Sequence, residues 1–335
     1  FCDTIFMVKL MRDFIRKNSG LLIIILIVLI QMVLNVSITV FSGCPINWFS
    51  LFFNIVLLIF TNFFICKISN KLFRNQIYSM FLCVINGFSA IFFASNSYSI
   101  TYELSNLFIL MIAYIHLVLW RKKKINILWF LAIIPVIAIG NLVHFSFLIF
   151  AFCLFALYIL KCVKTKSYKI LAKYTSSVLI GFIFSLTLGH FLYKAMPLES
   201  NSISSFSISN ITVQKLEYFL VVNYGFFYNL LLLFIICIGL ICYKKKTRHL
   251  RKNSQVSLFC IPVLIYLIFV IVFTPTVSIE FLIPVCSVAL IMIFYIAQKF
   301  LFEHLKNGEA IFLLILLATI YFYNYITGCL NIVIM

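Results

Sequence analysis

Residues 121–166 read "RKKKINILWFLAIIPVIAIGNLVHFSFLIFAFCLFALYILKCVKTK". A basic cluster opens the stretch and another closes it, and the long apolar run between them is interrupted around Gly140, Asn141 and His144. As one helix, 127–160 would be about 50 Å long at about 1.5 Å per residue, against a hydrocarbon core of about 30 Å. A single crossing would also put the two basic clusters on opposite faces of a membrane, against the bias of Lys and Arg to one side. The stretch therefore predicts two short helices, 127–140 and 143–160, joined by a tight turn at Gly140-Asn141. The chain doubles back, and both clusters stay together.

The composition extends this reading to the whole chain. Of 335 residues, 64% are hydrophobic and only 10% are charged, too few polar side chains to cover a soluble globule. The runs are apolar on all faces, which excludes a β-barrel, whose strands alternate. The expected fold is an all-α, polytopic membrane bundle, a single domain over 1–335 with about eleven transmembrane helices, within a range of about ten to twelve. The expected spans are 21–41, 48–66, 77–95, 104–120, 127–140, 143–160, 170–191, 218–242, 257–274, 279–298 and 310–327.

With the N-terminus cytoplasmic, 24 of the 26 Lys and Arg fall inside, and only Lys194 and Lys215 fall outside. One missed span would scatter these clusters over both faces. The same clustering disposes of nucleic acid as a partner for the net charge of +18, because no gap between spans is long enough to fold as a basic domain. The first run, Leu21–Phe41, is too long for a signal h-region and reads as a true first span. The sequence opens "FCDTIFMVKL" without an initiator Met, as a fragment would. The 11 cysteines show no metal-ligand spacing and read as small hydrophobes within or beside spans. Cys44 and Cys329 share the outer side, where a disulfide is open to them.

No P-loop, G-x-G-x-x-G, H-E-x-x-H or nucleophile elbow is present. ATP-driven transport by this chain alone is excluded, no cofactor or metal is expected, and chemistry must use side chains at a membrane face. Glu103, Glu199, Glu217 and Glu280 fall at the outer face, and Glu280 lies one residue into an apolar run, where a carboxylate is expensive to keep without a function. The 192–217 connection, Ser-rich and bearing Lys194, Lys215 and Glu217, forms a long extracytoplasmic loop. His249 and His304 read as solvated, and His116 as a packing or interfacial residue. His144 and His190 both fall at outer ends of spans. There an imidazole can act as a base or donate to a diphosphate. The competing structural reading of each is a histidine hydrogen-bonded to a neighbouring helix end.

The candidate catalytic residues are His144, Glu103 and Glu280, and the candidate substrate-binding residues are Tyr102, Asn141, His190, Lys194, Lys215 and Glu217. An acid beside an imidazole can activate a sugar hydroxyl, and lysines can offset the charge of a lipid diphosphate.

The block 97–150, with its polar entry "SYSITYE", the basic turn "RKKK" at 121–124 and the "HFS" at His144–Ser146, resembles Wzy-type O-antigen polymerases and EpsG-like exopolysaccharide polymerases. The resemblance covers about 55 residues closely and the rest only in architecture. It implies a metal-independent glycosyltransferase of the bacterial inner membrane. That enzyme joins undecaprenyl-pyrophosphate-linked repeat units at the extracytoplasmic face, with a chain-length regulator and a flippase as further partners. Two departures stand out. Tyr102-Glu103 occupies the place of a usual Arg, and the external face carries no Arg at all. A phosphate-gripping role would then pass to Lys194 or Lys215 as point charges, without the bidentate fork of a guanidinium, or be absent. Two other classes compete. A lipid-linked oligosaccharide flippase or other transporter calls for charges deep within spans, and no Lys or Arg lies at the centre of one. A membrane acyltransferase modifying surface glycans would look to His116 at the cytoplasmic end.

Overall fold

The computed structural model describes residues 25–26, 29–30, 33, 48–73, 76–87, 100–121, 125–195, 254–273 and 283–297. Their regular structure is entirely helical. The bounded helices are α1 (Trp48–Phe73), α2 (Gln76–Gly87), α3 (Ile100–Arg121), α4 (Ile127–Val143), α5 (Phe145–Lys164), α6 (Tyr168–Ala195), α7 (Ser254–Phe273) and α8 (Ile283–Ala297). Each lies on one of the spans expected from the sequence. The remaining expected spans, at 21–41, 218–242 and 310–327, lie outside the described residues apart from single helical positions in the first. So do Cys44, Cys329 and the 192–217 loop beyond Ala195.

Four described helices are long and apolar enough to cross a membrane: Phe52–Phe73, Thr101–Arg121, Phe145–Lys164 and Tyr168–Phe191. Shorter apolar helices cover Ile127–Val143, Phe259–Val270 and Ile283–Met292. The chain is a helical membrane protein. Large apolar side chains such as Leu186 (74% exposed) and Phe191 (69%) face outward on α6, a surface that suits lipid and would be costly in water.

The helical hairpin expected over 127–160 is present, but its break lies elsewhere. Helix α4 runs through Gly140 and Asn141 and stops at His144, whose backbone is extended (φ −165°, ψ 146°). That residue ends α4 and begins α5 at once. Its ring nitrogen Nδ1 accepts from the Ser146 backbone N–H at 3.3 Å, so one of the orphan donors of the α5 N-terminus is satisfied by a side chain. Gly140 serves packing instead. A Cβ there would stand 2.7 Å from the Phe147 ring, so the missing side chain is what lets the first turn of α5 fold back against α4.

Helix α3 is the centre of the bundle, with Ile109, Leu110, Ile112, Ala113, Leu117 and Leu119 fully buried. At one end it meets the hairpin break, and at the other the ends of α5 and α1. There the Lys161 ammonium donates to Trp120 O at 2.6 Å and lies 4.8 Å over the Trp120 ring, while the Arg121 guanidinium donates to Lys71 O. Lys161 thus answers the open carbonyls at the C-terminus of α3. Arg121 and Lys161 stand at one end of the molecule, as a chain that doubles back requires. His116 is fully buried near this end, its Nδ1 bonded to Ile112 O at 2.8 Å and its Nε2 to the Tyr174 hydroxyl. It joins α3 to α6 and is a packing residue.

Lipid supplies no hydrophobic force between apolar helices, so small polar side chains hold them together. Asn62, Cys66 and Ser69 on α1 and Ser79, Cys83 and Asn86 on α2 recur at helical spacing. Ser79 donates to Asn70 Oδ1 at 2.7 Å, Cys83 to Asn62 O at 3.4 Å and Asn86 to Asn62 Oδ1 at 3.4 Å. Cys66, Cys83, Cys153, Cys162, Cys260 and Cys286 are free thiols, and all but Cys66 and Cys260 are buried as small hydrophobes.

Candidate functional site

The first two turns of α3 carry a polar face on each flank. Tyr102 and Ser105 lie three apart, as do Glu103 and Asn106, and residues three apart share a helix face. Ser105, Asn106 and Glu103 are buried, at 0%, 6% and 5% exposure. Burying so much polarity in an apolar helix is costly unless partners answer it.

On one flank the partner is the hairpin break. The Tyr102 and His144 rings meet edge to face with centroids 4.8 Å apart. The Ser105 and Ser146 hydroxyls lie 2.8 Å apart, and Ser146 Oγ lies 2.7 Å from His144 Nδ1. The Tyr266 hydroxyl of α7 also reaches Ser146. Three helices and the hairpin break thus meet on one serine.

This chain of bonds decides the tautomer of His144. Because Nδ1 accepts from the Ser146 N–H, the neutral ring carries its proton on Nε2. The residue lies in the break, outside both helices, and burial pulls its imidazole down to about 4. At neutral pH the ring is uncharged. Its lone pair is held by Ser146, and its other edge is an N–H donor with no hydrogen-bond partner among the described residues. That suits a hydrogen bond to a substrate oxygen better than abstraction of a proton.

On the other flank, Asn106 Nδ2 donates to Ser287 Oγ at 2.9 Å, and Ser287 donates to Asn86 Oδ1 at 2.7 Å. Together with the Asn86–Asn62 bond this makes a buried ladder across α1, α2, α8 and α3. Glu103 stands beside Cys286 on this flank. It is the only carboxylate among the described residues.

Two sequence candidates, Tyr102 and His144, therefore meet at the break, while Glu103 shares the first turn of α3 but lies on the other flank, beside Cys286. Asn141 is one helical turn before His144, and its buried amide atoms find no hydrogen-bond partner among the described residues. His190 is exposed, with Phe191 as a ring neighbour at 6.3 Å; the contacts that join the cluster do not include it. Lys194 belongs to the last turn of α6. Glu280, Lys215 and Glu217 lie outside the described residues. Sequence reading missed Ser105, Ser146 as a junction, Tyr266, Asn106 and Ser287. The one available signal was for Ser105 and Asn106, each three residues beyond Tyr102 or Glu103 on α3.

No three metal-ligating side chains come together among the described residues. The chain matches no family model, no curated protein and no solved structure.

Proposed function

We propose that the chain is a polysaccharide polymerase of the bacterial inner membrane, joining undecaprenyl-pyrophosphate-linked repeat units at the extracytoplasmic face. The observation that carries this reading is the junction of Tyr102 and Ser105 with His144 and Ser146. It unites the two parts of the 97–150 block that resemble such enzymes. In the proposed step the anomeric C–O bond to the carrier diphosphate of the growing chain breaks. A new C–O bond forms to a sugar hydroxyl of the incoming unit. The hydroxyl proton passes to Glu103 or Glu280, and undecaprenyl diphosphate leaves with the electron pair. His144 Nε2–H donates to a diphosphate oxygen as charge builds there, and Tyr102 holds the ring in place. Asn141 offers donor and acceptor atoms to the glycan, and Lys194, Lys215, His190 and Glu217 bind at the rim.

The test is the surface polysaccharide of a deletion strain complemented with variants. Without the protein, lipid-linked core should carry a single repeat unit. His144→Ala should abolish the ladder at unchanged protein abundance, whereas an undiminished ladder would remove His144 from the site. A second reading, a lipid-linked oligosaccharide transporter, is favoured by the buried ladder Asn62–Asn86–Ser287–Asn106. Its loss would leave no repeat unit on the core. An acyltransferase would leave a full ladder with altered antigenicity.

A further inference from the structure

At the end of the bundle opposite His144, the α5–α6 turn and the helix ends that flank it carry Lys164, Lys166, Lys169 and Lys173, all exposed. The described residues place no carboxylate near them, since Glu103 stands at the other end of α3. Lys161, just before, is turned inward onto Trp120 O and is already engaged.

The turn itself carries an unexpected residue. Lys166 N donates to Val163 O at 3.1 Å and Ser167 N to Cys162 O at 2.9 Å, the paired bonds of a Schellman motif. Its left-handed position falls to Lys166, with φ 53°. Glycine takes that conformation without steric cost. Here a lysine stands in it, and its charge is kept at the expense of backbone comfort.

Position selects what such a charge would meet. One turn back on α5, Leu160 (56%) and Val163 (48%) are exposed apolar side chains, and Tyr168 (62%) opens α6. Exposed aliphatic groups belong in acyl chains and exposed Tyr at the boundary with water. The four ammonium groups therefore stand at the level of lipid headgroups. Clusters of this size beside a membrane helix attract anionic lipid.

We propose that the α5–α6 turn is a docking surface for anionic phospholipid headgroups, formed by Lys164, Lys166, Lys169 and Lys173. It is independent of the chemistry at His144. The surface holds this end of the hairpin at the membrane boundary, with the Lys166 ammonium presented by its left-handed backbone.

The full chain, purified in neutral detergent, would be unfolded thermally with phosphatidylglycerol, phosphatidylcholine or inorganic phosphate added. Phosphatidylglycerol should raise the midpoint, and the other two should leave it in place. Replacing all four lysines by Gln should raise the half-saturating phosphatidylglycerol concentration by more than about fivefold, the amount that one lysine near an anionic surface supplies. Arg at all four positions should preserve the response. Lys166→Gly keeps the turn testable should the fourfold variant not fold. It should unfold at a higher temperature in phosphatidylcholine, yet need more phosphatidylglycerol to reach half-saturation. An unchanged lipid response in the Gln variant, or in Lys166→Gly, would overturn the proposal. So would an equal response to inorganic phosphate, which would mean a free-anion site.

Discussion

His144 caps a helix through Nδ1, the structural job that the sequence offered as one of two readings, and it presents Nε2–H at the end of a hydrogen-bonded chain of serines. The cap needs a lone pair on Nδ1, so the fold favours the neutral ring. Burial holds the imidazole neutral down to about 4, whereas in an unfolded chain it titrates near 6.5. A depressed histidine gives its full contribution above the unfolded value and loses it as pH falls toward the folded value. Stability should therefore decline between about pH 6.5 and pH 4. His144→Asn retains a capping side chain that does not titrate, so its unfolding temperature should fall less over that interval. Parallel pH profiles for the two proteins would mean that other groups govern the acid response. The sequence revealed His144 because an imidazole in an apolar run is conspicuous. Ser105 and Ser146 were hidden, because single hydroxyls are common in membrane helices, where they usually bond to their own preceding carbonyls, as Ser69 does to Ile65 O at 2.6 Å.

At the level of elements, the hairpin was legible and its break was not. Gly140 and Asn141 have weak helix propensity, which made them the natural place for a turn. Propensity lost to packing. Gly140 stays helical because the Phe147 ring, itself fully buried, occupies the space a side chain would need. Gly140→Ala sets two effects against each other. Helix propensity gains about 1 kcal/mol, while crowding a close-packed ring costs about 1–3 kcal/mol. The ring has no room to move, so the crowding should win, with net destabilisation of up to about 2 kcal/mol. Phe147→Leu should relieve the clash, making the double variant more stable than the sum of the single effects. Additive losses would show that Gly140 and Phe147 do not share that space. The α1–α2 seam was equally legible in principle, since Asn62, Cys66 and Ser69 and Ser79, Cys83 and Asn86 repeat at helical spacing. Its partner Ser287 comes from 201 residues beyond Asn86, a distance over which spacing carries no information.

For the whole molecule, helix packing sorts the polar chemistry by end. Tyr102 and His144 meet at one end of α3, and Arg121, Lys71 and Lys161 meet at the other. Helices α4 and α6 run alongside each other, with Ile137 against Gly181 and Leu142 against Gly189, so the outer turns of α6 lie beside the break. This relative placement does not depend on which end faces the cytoplasm. The lysine bias chooses between the two orientations, because basic residues flanking short loops are retained inside during insertion. A membrane-impermeant maleimide applied to intact cells tests that choice. Thr165→Cys, in the exposed α5–α6 turn, should react only after permeabilisation, and His190→Cys, exposed near the other end, should react at once. A parent lacking Cys44 and Cys329, which the sequence puts on the outer side, supplies the background, and buried thiols such as Cys83 (0% exposed) and Cys162 (3%) should add little to it. The reverse pattern would invert the orientation and move the His144 site to the cytoplasmic face, where the proposed polymerisation could not occur. Labelling of both positions in intact cells would put both ends of α6 on one face and would count against α6 as a membrane span.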